Sequence, residues 1–288
     1  MPIKVDKYEL HGYAYGNDIA VVFPYPHGGE PHNNQEFLRG VALLTGGLAV
    51  GLQTPGTGKM YIDRATRARL RPGRLHELAA EHAYDVKQVL DSEGRSARVL
   101  VAHSGRVALG ARMQTSPARP FTGVVLRDGT NLCAPEPVRQ GYRRLTHQAP
   151  ARFTSYGDDY KPLLHRLRDK RARLHGYVEV VNQGRLLCSE ESIDAVQALA
   201  ADPTTPLLHM TFEEGICGPV PDQYLFACHL RGIRADAATP EARAPLIAQV
   251  VPGAHGDLQN HGLLDSQIRA IVPPTVFQKP CATLPPAT

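Results

Sequence analysis

Short unbroken apolar runs alternate with longer stretches of helical period through the first 130 residues. The runs Ile19–Phe23 (IAVVF), Leu48–Leu52 (LAVGL), Arg98–Ala102 (RVLVA) and Thr122–Leu126 (TGVVL) predict strands. Between them, residues 33–44 carry Phe37, Val41 and Leu44 roughly on one side of a helix. Residues 75–90 form a second helical pattern on Leu78, Val86, Val89 and Leu90, and 105–113 a third. The strand runs are apolar at odd and even positions alike, which suits strands covered by helices on both faces. Strands separated by helices of this length predict βαβ units and a mostly parallel sheet, an α/β class.

The pattern changes after Asp128. From 131 to 203 strand signals are weak, and 160–174 and 192–201 have helical character. Strand signals return at 206–210 (PLLHM) and 245–251 (PLIAQVV), and a last helix is predicted over 263–271. The chain therefore divides into a first core part (1–130), a mostly helical insertion (131–203) and a second core part (204–288).

Composition narrows the function classes. With 42% hydrophobic residues the chain can bury a sizeable core, and a formal net charge of +4 is small for 288 residues. Charges of both signs are dispersed, whereas a nucleic-acid binder carries a denser basic stripe. Cys133, Cys188, Cys217, Cys228 and Cys281 are odd in number with no CxxC spacing, which argues against a disulfide framework or a structural zinc. No run of 18 apolar residues suggests a membrane span, and the N-terminal MPIKVDKYELHGY lacks a secretory apolar stretch. The expectation is a cytoplasmic protein with reduced thiols, acting on a small molecule without metal or organic cofactor, nucleic acid or membrane.

The candidate chemistry starts in VLVAHSGRVALGARM (99–113), where an apolar strand meets a serine and an Ala-rich helix follows at once. A serine at such a turn is exposed at the carboxyl edge of the sheet. The N–H of the next residue, Gly105, then lies at a helix N-terminus, where partial positive charge gathers and an oxyanion would be stabilised. The serine hydroxyl needs a base to act as a nucleophile.

The segment Ala102-His103-Ser104-Gly105-Arg106 resembles the small-x-Ser-x-small elbow of the α/β-hydrolase superfamily. Ala102 stands for the first Gly. Arg106 stands for the second small residue, so it must turn away from the packed contact or distort the elbow. Further segments match in the superfamily's order, over roughly 15–130 and 204–272. His27-Gly28 resembles the pair that feeds the oxyanion loop, which makes the Gly29 N–H the second oxyanion donor. GLQTPGTGKM (51–60) is similar to a strand-end segment of the superfamily, with Pro55, Gly56 and Gly58 matching and Gln53 and Met60 departing. Its GTGK is not a phosphate-binding loop, because Gln53 replaces the required Gly and Met60 the required Ser or Thr.

Downstream, VVPGAHGD (250–257) resembles the loop that delivers the catalytic histidine, which makes His255 the base, with His261 in reserve. The acid is sought in PLLHMTFEEGICGPVP (206–221), where Gly215 sits near the usual acid position. Glu214 is the first choice, with Glu213 close behind; Asp128, after the preceding strand, is the alternative. The insertion resembles a cap over the active site. His27, His103, Tyr156 and Tyr160 are candidates to contact substrate. Arg166, Lys170 and Arg173 share one face of the helix over 160–174, a solvated face or a basic entrance. The resemblance implies hydrolysis of an ester, thioester or lactone through a Ser-His-acid triad. The alternatives are a non-hydrolytic enzyme of the same fold (a cyclase, lyase or C–C cleaving enzyme) and a small-molecule binding protein.

Overall fold

A computed structural model describes residues 2–5, 8–24, 35–52, 69, 73–130, 190–215, 217, 220–254 and 261–277. The strands are β1 (Pro2–Val5), β2 (Tyr8–Ala14), β3 (Ile19–Pro24), β4 (Leu48–Leu52), β5 (Ala97–His103), β6 (Gly123–Arg127), β7 (Leu207–Glu214) and β8 (Leu246–Ala254). The helices are α1 (Gln35–Thr45), α2 (Leu75–Ser92), α3 (Val107–Gln114), α4 (Glu190–Ala201), α5 (Val220–Ala237) and α6 (His261–Ile271). One sheet has the order β1-β2-β4-β3-β5-β6-β7-β8. The pairs β1–β2 and β2–β4 are antiparallel, and all others are parallel.

The strands read as unbroken apolar runs because both faces of the sheet are covered. Ile19, Val21, Val99, Val101, Leu208 and Met210 pack with α1 and α6 on one face. Ala20, Val22, Leu100, Ala102, Val124 and Leu126 pack with α2 to α5 on the other. Each fully buried Leu, Ile, Val or Phe contributes roughly 1.5–3 kcal/mol of transfer free energy. Gly110 of α3 brings that helix close to β5: a Cβ there would stand 2.8 Å from Leu100 Cδ2 and 2.9 Å from the Ala102 Cβ. The helix that follows the serine thus lies tight against the strand that precedes it.

All six core strands expected from the apolar runs are present, together with the helices over 75–90, 105–113, 192–201 and 263–271, with small shifts at their ends. In α1 the buried face is Leu38, Val41, Ala42 and Thr45, while Leu44 is exposed. Three elements were not anticipated. The β1–β2 hairpin has only roughly alternating apolar and polar residues, a weaker signature than the unbroken apolar runs of the central strands. In α5 the buried positions are Gln223, Phe226, Ala227, Leu230 and Arg234, whereas Tyr224 and Leu225 face outward. Two polar residues inward and two apolar ones outward blur the helical period. α4 lies within the segment 131–203, yet its Ala195, Val196, Leu199 and Ala200 join the helical layer on the sheet. Residues 131–189, including Tyr156, Tyr160 and the basic stretch 166–173, lie outside the described residues. Among the described residues no helix is long and apolar enough to cross a membrane.

Candidate active site

β3 to β8, through β4, are parallel, so their carboxyl ends meet at one edge of the sheet. Ser104 follows β5 there. His103 ends the strand with extended backbone (φ −129°, ψ 147°), and a single 3-10 turn over Ser104–Arg106 leads into α3. Ser104 itself has φ +54°, a left-handed conformation that L-residues rarely adopt. The chain reverses from strand to helix within that one residue, which leaves Ser104 and Gly105 partly exposed between buried His103 and Arg106. Gly105 follows in the first turn of the helical segment, so its N–H sits at the positive end expected for an oxyanion donor.

Arg106 does not distort this turn. Its backbone is ordinary (φ −93°, ψ −8°) and α3 begins directly after it. The side chain is only 2% exposed, and its charge bears on His82 of α2. Burial, with a smaller contribution from the Arg106 charge, pushes His82 down to about 3, so this imidazole stays neutral at physiological pH.

The neighbouring strand ends on the second unusual residue. Asp128 follows β6, is fully buried and has φ +45°. Its N–H donates to Met210 O at 2.8 Å, which ties it to β7. Its Oδ1 accepts from the Phe212 N–H at 3.4 Å and from the Cys217 thiol at 3.1 Å. The chain after β7 curls around this carboxylate, closed by a bond from the Gly215 N–H to Phe212 O at 2.9 Å. A Cβ on Gly215 would fall on the Asp128 carboxylate. The carboxylate thus occupies the space in which a side chain at 215 would begin. Gly129 is a second close approach, because a Cβ there would fall on Ser104 O and on Val107. The turn carrying Asp128 therefore lies directly against the turn carrying Ser104.

Glu213 and Glu214, at the end of β7, are both exposed. Glu214 pairs in register with Ala254, the last residue of β8. His255 follows Ala254 in the chain and, like His27, Gly28 and Gly29, lies outside the described residues. His103 is buried beside Arg127, its register partner across β5 and β6. Arg127 is fully buried with its guanidinium 5.7 Å from the Phe212 ring centre. Behind Asp128, Thr130 Oγ1 lies 3.1 Å from His209 Nε2. Burial pushes His209 down to about 4, against the opposing pull of the Asp128 charge. Gly215, Cys217, Arg127 and His209 were not among the site residues anticipated. The one available signal was an Arg-Asp pair closing an otherwise apolar strand run.

No family model matches the chain, and no curated protein does. Solved structures do. A variant of the haloalkane dehalogenase DatA from Agrobacterium tumefaciens is 13% identical with a TM-score of 0.55, over 93% of this chain and 96% of that one. A peroxisomal α/β-hydrolase of Saccharomyces cerevisiae is 12% identical with a TM-score of 0.54, over 98% and 86%. A serine hydrolase of Cycloclasticus zankles is 14% identical with a TM-score of 0.52, over 93% and 95%. The chain has the α/β-hydrolase fold. At these identities the likeness extends to the fold alone. Within the α/β-hydrolase fold of this chain, Ser104 stands at the strand-to-helix turn after β5, and Gly129 brings the Asp128 turn against it.

Proposed function

We propose that this chain is a serine hydrolase with Ser104 as nucleophile, His255 as base and Asp128 as the acid. The observation that carries the reading is the left-handed Ser104 between β5 and α3, with the Asp128 turn packed on its carbonyl through Gly129. Such strain at a nucleophile is retained where it aims the side chain at a reacting group. Asp128 is preferred to Glu214 because it is buried and held by donors, whereas Glu214 is exposed. A triad acid acts by keeping one carboxylate orientation against the imidazole. His255 suits the base because it directly follows Ala254 in the chain, and the end of β8 lies at the same edge of the sheet as the ends of β5 and β6.

Ser104 Oγ attacks the carbonyl carbon of an ester, thioester or lactone while its proton passes to His255. Asp128 stabilises the imidazolium, and the N–H groups of Gly105 and Gly29 hold the oxyanion. The imidazolium then protonates the leaving group, and the acyl group remains on Ser104. Water attacks that ester, His255 takes the water's proton, and the proton returns to Ser104 Oγ as the acid is released.

The test is reaction with a fluorophosphonate probe, followed by intact mass. Wild type is expected to gain one adduct that Ser104→Ala lacks at unchanged thermal stability. Asp128→Asn is expected to slow labelling by about 100-fold or more, from loss of imidazole orientation. A folded wild type that takes no adduct overturns the reading.

A further inference from the structure

Cys217 is fully buried and carries a thiol, whose Sγ lies 3.1 Å from Asp128 Oδ1. An ionised carboxylate only accepts, so the thiol is the donor in this contact. The Phe212 N–H reaches the same oxygen from the end of β7. Two donors from one turn thus converge on Oδ1, while the absent side chain of Gly215 makes room for the carboxylate between them. The backbone of Asp128 adds a third restraint, through its left-handed φ and its bond to Met210 O.

We propose that Cys217 is a positioning residue: its thiol pins Oδ1 of Asp128 so that Oδ2 is presented to the imidazole of the base. The proposal rests on the reading of Asp128 as the acid and adds how that acid is aimed and tuned. A side chain after β6 has to reach across to the end of β7. The Cβ–Cγ torsion of a carboxylate has a broad, roughly two-fold preference, and the thiol narrows it together with the Phe212 N–H. A donor on one oxygen selects one rotamer. It also withdraws part of the negative charge, so the carboxylate supports the imidazolium less strongly and the base titrates lower than it would without the thiol. A thiol is a weak donor, so it orients the acid without neutralising it.

The experiment is the second-order rate of fluorophosphonate labelling as a function of pH, for wild type, Cys217→Ala, Cys217→Ser and Asp128→Asn. Cys217→Ala is expected to lower the plateau rate by about three- to ten-fold, the range of one lost hydrogen bond. It is also expected to move the midpoint of the profile to higher pH. Cys217→Ser restores a donor and is expected to return both toward wild type. A folded Cys217→Ala with the wild-type midpoint overturns the proposal and leaves the triad reading intact, provided Asp128→Asn is slow. Asp128→Asn labelling at the wild-type rate overturns both. The S–H stretch of Cys217, isolated as an infrared difference between wild type and Cys217→Ser, tests the contact without activity. It is expected at lower frequency than a free thiol and shifted upward in Asp128→Asn. A band that Asp128→Asn leaves unmoved also overturns the proposal.

Discussion

Ser104 and Asp128 hold left-handed backbones at the ends of adjacent strands, at a cost of about 1–2 kcal/mol each. Both conformations persist because the surroundings determine them from several sides. Ser104 is fixed between β5 and α3, and Asp128 is tied to Met210 and Phe212 of β7. Gly129 and Gly215 are where the two turns and the carboxylate come closest, and neither position has room for a Cβ. Gly215→Ala isolates this contact. Its added methyl would displace the Asp128 carboxylate, an overpacking that costs about 1–3 kcal/mol. The variant is expected to lose that much stability in urea and to be labelled by a fluorophosphonate more slowly than wild type. Wild-type values for both would mean that the carboxylate does not depend on this gap. The serine could be found from its neighbours in the sequence, because an apolar strand, a small residue and a helix surround it. The glycine gap could not, because Gly215 meets Asp128 only when β6 and β7 lie side by side.

Among the elements, α5 shows how a buried charge can serve packing. Arg234 is buried and donates to Leu199 O and Ala200 O of α4, and to Thr205 O and Ala244 O in the loops before β7 and β8, at 2.7–3.2 Å. One guanidinium thereby satisfies the last carbonyls of α4 and ties α4 and α5 to the start of the strands. Arg234→Met keeps the apolar stem but leaves these acceptors without their donor. The expected loss is about 3 kcal/mol in urea unfolding. Arg234→Lys is expected to recover only part of it, since a compact ammonium lacks the planar fork. A loss below about 1 kcal/mol for Arg234→Met would mean that water replaces the guanidinium. The central strands were legible because each is apolar on both faces. α5 was not, since its polar Gln223 and Arg234 are inward and its Leu225 is 69% exposed.

At the scale of the whole molecule, two buried histidines among the described residues make stability depend on acid pH. His82 is pushed down to about 3 and His209 to about 4, from an ordinary value of 6.5. Between these values and 6.5 the unfolded chain binds protons that the folded protein refuses. This stability is therefore present above pH 6.5 and is lost as pH falls toward about 4 for His209 and about 3 for His82, by about 2 kcal/mol per histidine on reaching pH 5. His209→Gln is expected to remove about half of that slope in urea unfolding at pH 7.5 and pH 5. An unchanged slope would show that His209 is protonated in the folded state. The sequence by itself determined the mostly parallel sheet, the succession of its core strands along the chain and the place of Ser104 at a strand-to-helix turn. These depend on local apolar period and on neighbours within one strand, turn and helix. Only the tertiary structure decided which of these carboxylates is buried, in the turn packed on the Ser104 turn, and what holds it. Glu214 and Asp128 sit in equally plausible local contexts, at the ends of apolar strands. The choice between them came from burial, from the bond to Phe212 and from a thiol 89 positions away in the chain.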